Sequence, residues 1–146
     1  MFFIYNFFLL IILLISPIIL IIRIFLGKED KIRFKEKFCF FSKKSHVDGI
    51  IWFHGASVGE ILSIIPIVER FEKDIKIKKI LITSSTISSS YILSKYKFKK
   101  TIHQFYPFDL DIFTKLFINY WRPKLAIFVD SEIWPNMYKN LYKKKI

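Results

Sequence analysis

Cysteine is almost missing from this chain: Cys39 is the single one. One thiol cannot close an internal disulfide or supply a cysteine zinc site, and its isolation suits a reducing, cytoplasmic setting. Acidic residues are scarce too, 12 against 24 lysines and arginines, which leaves a formal net charge of +12. Arginine contributes only Arg23, Arg33, Arg70 and Arg122 to that excess, and the rest is lysine. Abundant Phe and Ile beside the lysine point partly to an AT-rich coding bias, so the charge is discounted as a sign of an anionic partner. Histidine is limited to His46, His54 and His103, too scattered for a metal-ligand cluster. A dinucleotide fingerprint and a P-loop are absent: the first strand-to-helix turn offers only Gly55 and Gly59, at a spacing that fits neither. No nucleic-acid recognition motif accompanies the positive charge.

What is present begins with an apolar N-terminus. Residues 2–22 carry no charge. At 1.5 Å rise they span roughly 31 Å, close to the ~30 Å hydrocarbon core of a bilayer. Asn6, Ser16 and Pro17 are tolerable in such a helix. A cleaved signal would have a basic start, a shorter apolar core and a small-residue cleavage site, none of which is found. A buried core helix would need a polar face, and the segment reads as having none. The sequence therefore predicts an uncleaved, single-pass membrane anchor over residues 1–25. Arg23, Lys28, Lys31, Arg33, Lys35, Lys37, Lys43 and Lys44 follow it, and such basic flanks stay cytoplasmic. The same cations would attract anionic lipid headgroups or simply fix the topology.

Residues 26–49 read as a basic connector with a short helix around 32–38. Regular patterning starts at Gly49. Apolar runs at 50–53, 80–82, 102–106 and 125–129 have strand length and composition. Amphipathic stretches at 60–71, 88–95 and 109–120 lie between them, and another helix begins near Pro135. This alternation predicts a parallel α/β sheet covered by helices on both faces over residues 50–146. Ser57 and Thr86 are candidate helix caps, and Asp109 is expected in a first helical turn, where a carboxylate complements the helix dipole. The four-strand pattern ends at Lys143-Lys144-Lys145-Ile146, which fits either a small complete sheet or half of something larger.

Two turns carry the candidate chemistry. Strand 50–53 runs into His54-Gly55-Ala56-Ser57-Val58-Gly59-Glu60, and strand 125–129 runs into Asp130-Ser131-Glu132-Ile133-Trp134-Pro135-Asn136. In a parallel sheet both lie at the carboxyl edge, where such sheets bind ligands. Gly55, Ala56 and Gly59 are expected to leave room for a ligand near the backbone. Glu60 then projects from the first helical turn, as a general base if burial raises its pKa, or as an ordinary dipole-pairing carboxylate. Gly55-x-Ser57-x-Gly59 matches a hydrolase nucleophile elbow, but it follows the first strand, and the only later histidine, His103, precedes Asp109. That order excludes the hydrolase. His54, at the end of a buried strand, reads as structural.

The run from Trp52 through His54 to Glu60, the following Pro66 helix, and Glu132-Ile133-Trp134-Pro135-Asn136 resemble the 3-deoxy-D-manno-octulosonic acid (Kdo) transferase family. So do Thr83-Ser84-Ser85-Thr86, Tyr106-Pro107-Phe108-Asp109 and the apolar helix with its basic tail. The resemblance implies a Rossmann-like α/β unit, the N-terminal, acceptor-side half of a GT-B glycosyltransferase. It implies transfer of Kdo from CMP-Kdo to the lipid A precursor (lipid IVA) at the cytoplasmic face of the inner membrane, with no metal and no other cofactor. Glu60 matches the family's general base, and Asp130 and Glu132 match an element that supports the transition state. Gly55, Ser57, Gly59, Thr83 and Asn136 fall in the matching motifs as substrate-binding positions. Three departures stand out. Asp130 is found where the family has a glutamate, Ser89 where it tends to have Gly, and Cys39 where a Gly usually follows the connector's aromatic residue. The family's nucleotide-binding domain is not matched, so the chain alone is expected to be inactive, as a fragment or split half. The alternative is a membrane-anchored, non-catalytic lipid-binding scaffold.

Overall fold

The computed structural model describes residues 2–42, 48–129 and 133–146. Four parallel strands form one sheet: β1 (Ile50–His54), β2 (Ile80–Ser84), β3 (Thr101–Phe105) and β4 (Pro123–Phe128). Helices α2 (Val58–Lys73), α3 (Ile87–Ser94) and α4 (Asp111–Trp121) link them, α5 (Pro135–Lys144) follows β4, and α1 (Phe2–Phe25) precedes all of them. The predicted elements are present, with boundaries shifted by a few residues. β4 starts earlier than its apolar run because Pro123 can open a strand, where no N–H need be donated.

Alternation along β1 explains why both faces of the sheet are covered. Ile50 and Trp52 face one way, into a core with Phe117, Ile118 and Trp121 of α4 and Met137 and Leu141 of α5. Ile51 and Phe53 face the other way, against Ile61, Ile64, Ile65 and Val68 of α2 and Leu93 of α3. The α2 residues recur at the three- and four-residue spacing of one helix face. The strand order is β3-β2-β1-β4. The chain therefore winds one way from β1 to β3 and then returns to the far side of β1. That reversal opens a crevice outside the carboxyl ends of β1 and β4.

Residues 26–42 are a packed strap rather than a loose connector. A short 3-10 helix, Arg33–Phe38, lies on the outer edge of β3. Its Glu36 is buried and accepts two hydrogen bonds from Arg33, at 2.9 and 3.0 Å. Glu36 also accepts one from Ser42 and one from the Phe105 N–H at 2.9 Å. The last contact satisfies an edge donor of the sheet that would otherwise need water. Glu29, also buried, pairs with Arg23 and Lys37 at 3.2 and 2.7 Å. Three of the flanking cations, Arg23, Arg33 and Lys37, are thus paired within the protein. Lys43 and Lys44 lie outside the described residues.

The 3-10 helix ends on Cys39, whose φ of +62° is left-handed. Its thiol donates to the Phe113 carbonyl at 3.2 Å, and burial pushes it up to about 12. The departure from glycine noted at this position therefore has a cost, because a Cβ is disfavoured in this conformation.

Helix α1 is the least expected element. It is long and apolar enough to cross a membrane, with mean hydropathy 3.0 in an 18-residue window of Ile4–Phe25. Yet Tyr5, Asn6, Leu9, Leu13, Ser16, Leu20, Arg23 and Ile24 form a buried or half-buried stripe, while the other side chains from Ile4 to Phe25 are exposed. At about 100° per residue, spacings of 11 and 7 bring Tyr5, Ser16 and Arg23 within about 20° of one another. A narrow polar stripe was present in a segment that reads as having none.

The two strand histidines in the sheet are neutral, His54 buried and His103 half-buried. His103 is held down to about 3 by burial and by neighbouring Arg33, and His54 to about 4 by burial. Arg33 can only donate, so the His103 Nδ1 it meets at 3.0 Å accepts, and Nε2–H donates to Ser84 at 2.9 Å.

Two outcomes are expected. Cys39→Gly should be more stable than Cys39→Ala by about 1 kcal/mol in urea unfolding, because only glycine relieves the left-handed backbone. The opposite order would contradict the conformation at Cys39. Second, the folded-state histidine pKa values lie below the unfolded ~6.5, so unfolding takes up protons. Their stabilisation is intact above about 6.5 and is lost as pH falls toward about 4 for His54 and about 3 for His103, on the order of a few kcal/mol in all. His103→Gln should lose less stability between pH 7 and 4 than the parent chain. An equal loss would contradict a neutral imidazole.

Candidate active site

The crevice begins where β1 stops. The Gly55 N–H donates to the Thr83 carbonyl at 3.1 Å, and the Val129 N–H donates to the His54 carbonyl at 2.9 Å. These bonds hold the ends of β2, β1 and β4 level. The chain then turns through Ala56 and Ser57 into α2. Ser57 caps α2, accepting from the Glu60 N–H at 3.3 Å. The Glu60 carboxylate folds back onto the same turn: Oε2 accepts from the Ala56 N–H at 2.6 Å and Oε1 from the Ser57 hydroxyl at 2.5 Å. The arrangement is a variant of the capping box, in which a serine and a glutamate three residues on satisfy the open start of a helix together. Glu60 is half-buried, while Ser57 and Gly59 are exposed beside it.

The two glycines have different uses. A Cβ on Gly55 would sit 3.0 Å from the Glu60 Cβ, so its smallness makes space for Glu60 rather than for a ligand. A Cβ on Gly59 would meet nothing nearer than the Ser57 Oγ at 4.0 Å. The open approach to the turn is on the Gly59 side.

Behind the turn is a buried polar row. Thr83 is fully buried; its Oγ1 accepts from the Trp52 indole at 2.9 Å and lies 2.9 Å from the His54 Nδ1. It supports β1 from behind and does not reach the surface. His54 packs on Tyr106 with ring centres 4.0 Å apart, and Phe128 and Trp134 stand 5.4 and 6.3 Å away. Tyr106 and Trp134 are also in contact, at 4.9 Å. This aromatic wall joins the ends of β1, β3 and β4 to the start of α5. Its signal in the sequence was the pair of aromatic-proline steps, Tyr106-Pro107 and Trp134-Pro135, to which residue-by-residue reading gave no role.

Asp130 and Glu132 lie outside the described residues, in the segment joining β4 to α5. Both flanks of that segment are fixed at the crevice, through the Val129 bond to His54 and the Trp134 rings. Asn136 is fully buried. Its side-chain amide donates to the Asp109 carbonyl at 2.6 Å and to Asn6 Oδ1 at 2.7 Å. Asp109, expected in the first turn of α4, sits before that helix and serves α5 instead. Its carboxylate accepts from the Asn136 and Met137 N–H groups at 3.0 and 2.8 Å. Burial raises its pKa above the ordinary carboxylate range, against the lowering effect of those bonds. Among the described residues, no group of three or more His, Cys, Asp or Glu side chains is placed to hold a metal ion.

Comparison with known proteins identifies the family. The model of the 3-deoxy-D-manno-octulosonic-acid transferase (kdotransferase) family matches residues 32–146. A 3-deoxy-D-manno-octulosonic acid transferase of Rickettsia bellii is 40% identical over 127 residues, which cover 87% of this chain and 30% of that protein. A Haemophilus influenzae protein of the same name is 32% identical over 66% of this chain and 22% of its own length. A probable mitochondrial counterpart from Arabidopsis thaliana is 30% identical over 76% of this chain and 25% of its own length. The chain thus spans less than a third of these relatives. No solved structure matches it. With the family model covering the 3-10 helix of the strap, the sheet and both motif-bearing turns, the chain belongs to the Kdo transferase family of glycosyltransferases.

Proposed function

We propose that this chain supplies the acceptor-side unit of an inverting GT-B glycosyltransferase that moves Kdo from CMP-Kdo to the lipid A precursor. Residues 1–25 bind it to the inner membrane, residues 26–49 are the basic connector, and residues 50–146 carry the acceptor-side chemistry at the cytoplasmic face.

The observation that carries this reading is the setting of Glu60. It stands at the sheet's switch point, half-buried, with each carboxylate oxygen already oriented by one donor. An ionised carboxylate has about four lone-pair positions, so two remain for a substrate proton. Glu60 takes the proton of an acceptor sugar hydroxyl as that oxygen attacks the anomeric carbon of Kdo. The bond from that carbon to the CMP phosphate oxygen breaks, and CMP leaves with the electron pair. One displacement opposite the leaving group inverts the centre. Asp130 and Glu132 are assigned to stabilising charge in the transition state, with Asp130 one methylene shorter than a glutamate would be. Ser57 and Gly59 border the acceptor's approach, and Gly55 keeps Glu60 in place. Thr83 and Asn136 hold the surrounding backbone. Donor binding is assigned to the sequence that the relatives carry beyond the matched region.

The test joins this chain to the remaining region of the Rickettsia bellii relative and assays Kdo transfer. Glu60→Gln should lower kcat by about 10²–10⁴-fold, the usual worth of a positioned general base, while acceptor binding persists. Gly55→Ala, which crowds Glu60, should lower kcat by about 10–10²-fold with the fold intact. Full-rate transfer by Glu60→Gln would overturn the assignment. Acceptor binding with no transfer in any joined form would favour the non-catalytic scaffold.

A further inference from the structure

The first turn of α1 reaches the same carboxylate that fixes the start of α5. The Tyr5 hydroxyl donates to Asp109 Oδ2 at 2.8 Å, and Asn6 Oδ1 accepts from the Asn136 amide at 2.7 Å. Asp109 also accepts from two N–H groups in the first turn of α5, donors that a helix start leaves open and that favour negative charge. The other end of α1 returns to the same unit. Arg23 pairs with Glu29, Glu29 with Lys37, and the Lys37 carbonyl accepts from the Phe108 N–H at 2.9 Å. Phe108 is the neighbour of Asp109 in sequence.

We propose that α1 lies in the plane of the bilayer along the α/β unit, and that Asp109 latches its first turn to the helix following the acidic segment. The membrane helix is then a structural part of the site, and Tyr5, Asp109 and Asn136 are positioning residues. A crossing helix excludes this arrangement. Tyr5 and Arg23 are about 27 Å apart along the helix axis, so crossing would carry Tyr5 to the far headgroup layer and away from Asp109.

The distribution of side chains favours the in-plane orientation. Every polar side chain of α1, namely Tyr5, Asn6, Ser16 and Arg23, is on the stripe facing the protein. The opposite face exposes Phe7, Phe8, Leu14, Ile18, Ile21 and Ile22, and Phe25, Leu26 and Ile32 continue it at one end. An apolar surface of this extent needs a lipid partner, and a helix lying at the interface would sink about 5–10 Å into it. The proposed role in the site rests on the function given above; the placement of α1 does not.

The full chain with Asn6→Cys and Asn136→Cys, expressed in a bacterial inner membrane, tests the placement. Cys39 stays silent because it is partly buried and its thiol is pushed up to about 12. A short bis-thiosulfonate should join positions 6 and 136 in intact membranes. An impermeant maleimide added outside spheroplasts should leave the thiol introduced at position 6 unlabelled. Failure to crosslink, or labelling of position 6 from outside, would overturn the proposal. The latch is read separately by amide exchange at Met137 in otherwise unchanged chain. Tyr5→Phe should speed it roughly tenfold, the worth of one hydrogen bond to a charged acceptor. An unchanged rate would remove Asp109 as the link. Neither readout involves Kdo transfer, so failure here and failure of the Glu60 assignment are distinguishable.

Discussion

The pairing of β4 with β1 is the constraint on which the rest depends. Had the chain after β3 continued outward, β4 would lie beyond β3, with β2 and β3 between it and β1. Instead it returns to pair with β1 along Ile51–Leu125 to His54–Phe128. Two segments far apart in sequence thereby leave the sheet side by side. The hydrophobic pattern of β1 makes this possible: Ile50 and Trp52 serve one core and Ile51 and Phe53 the other, so the strand is suited to the middle of the sheet.

Local chemistry then sets each turn. Glu60 is oriented by its own helix start, through Ser57 and the Ala56 N–H, with Gly55 making the space. The start of α5 is oriented at longer range, by a carboxylate that follows β3. The two acidic devices on the outer edge, Glu29 and Glu36, convert a basic stretch into a docked strap. In a chain with so few acids, several of them are spent on holding backbone in place, which gives the scarcity of negative charge a structural meaning.

Fold class and element order were legible because parallel strands buried on both faces are short, apolar and separated by amphipathic helices. The place of Glu60 was legible because an apolar strand, a small-residue turn and a helix start follow one another within a few residues. What was not legible depended on distance. Nothing near Asp109 in sequence reveals that it caps α5, a whole helix and strand further on. Thr83 and Asn136 occupy conspicuous motifs, yet both are buried and support backbone. Tyr5, Ser16 and Arg23 share one side of α1, but three polar groups in a long apolar run vanish from an average. Cys39 was noticed as a departure from glycine; its reason, a left-handed backbone, needed coordinates.

The shared crevice of the two turns is the central claim, and one distance tests it most directly. Spin labels at Val58 and Ile133, on either side of the proposed site, can be measured by pulsed electron resonance in the membrane-bound chain. With neighbouring strands about 4.8 Å apart and labels adding their own reach, the account predicts a single separation of about 10–20 Å. A dominant separation above about 30 Å would place the turns at opposite ends of a sheet this size and contradict the account.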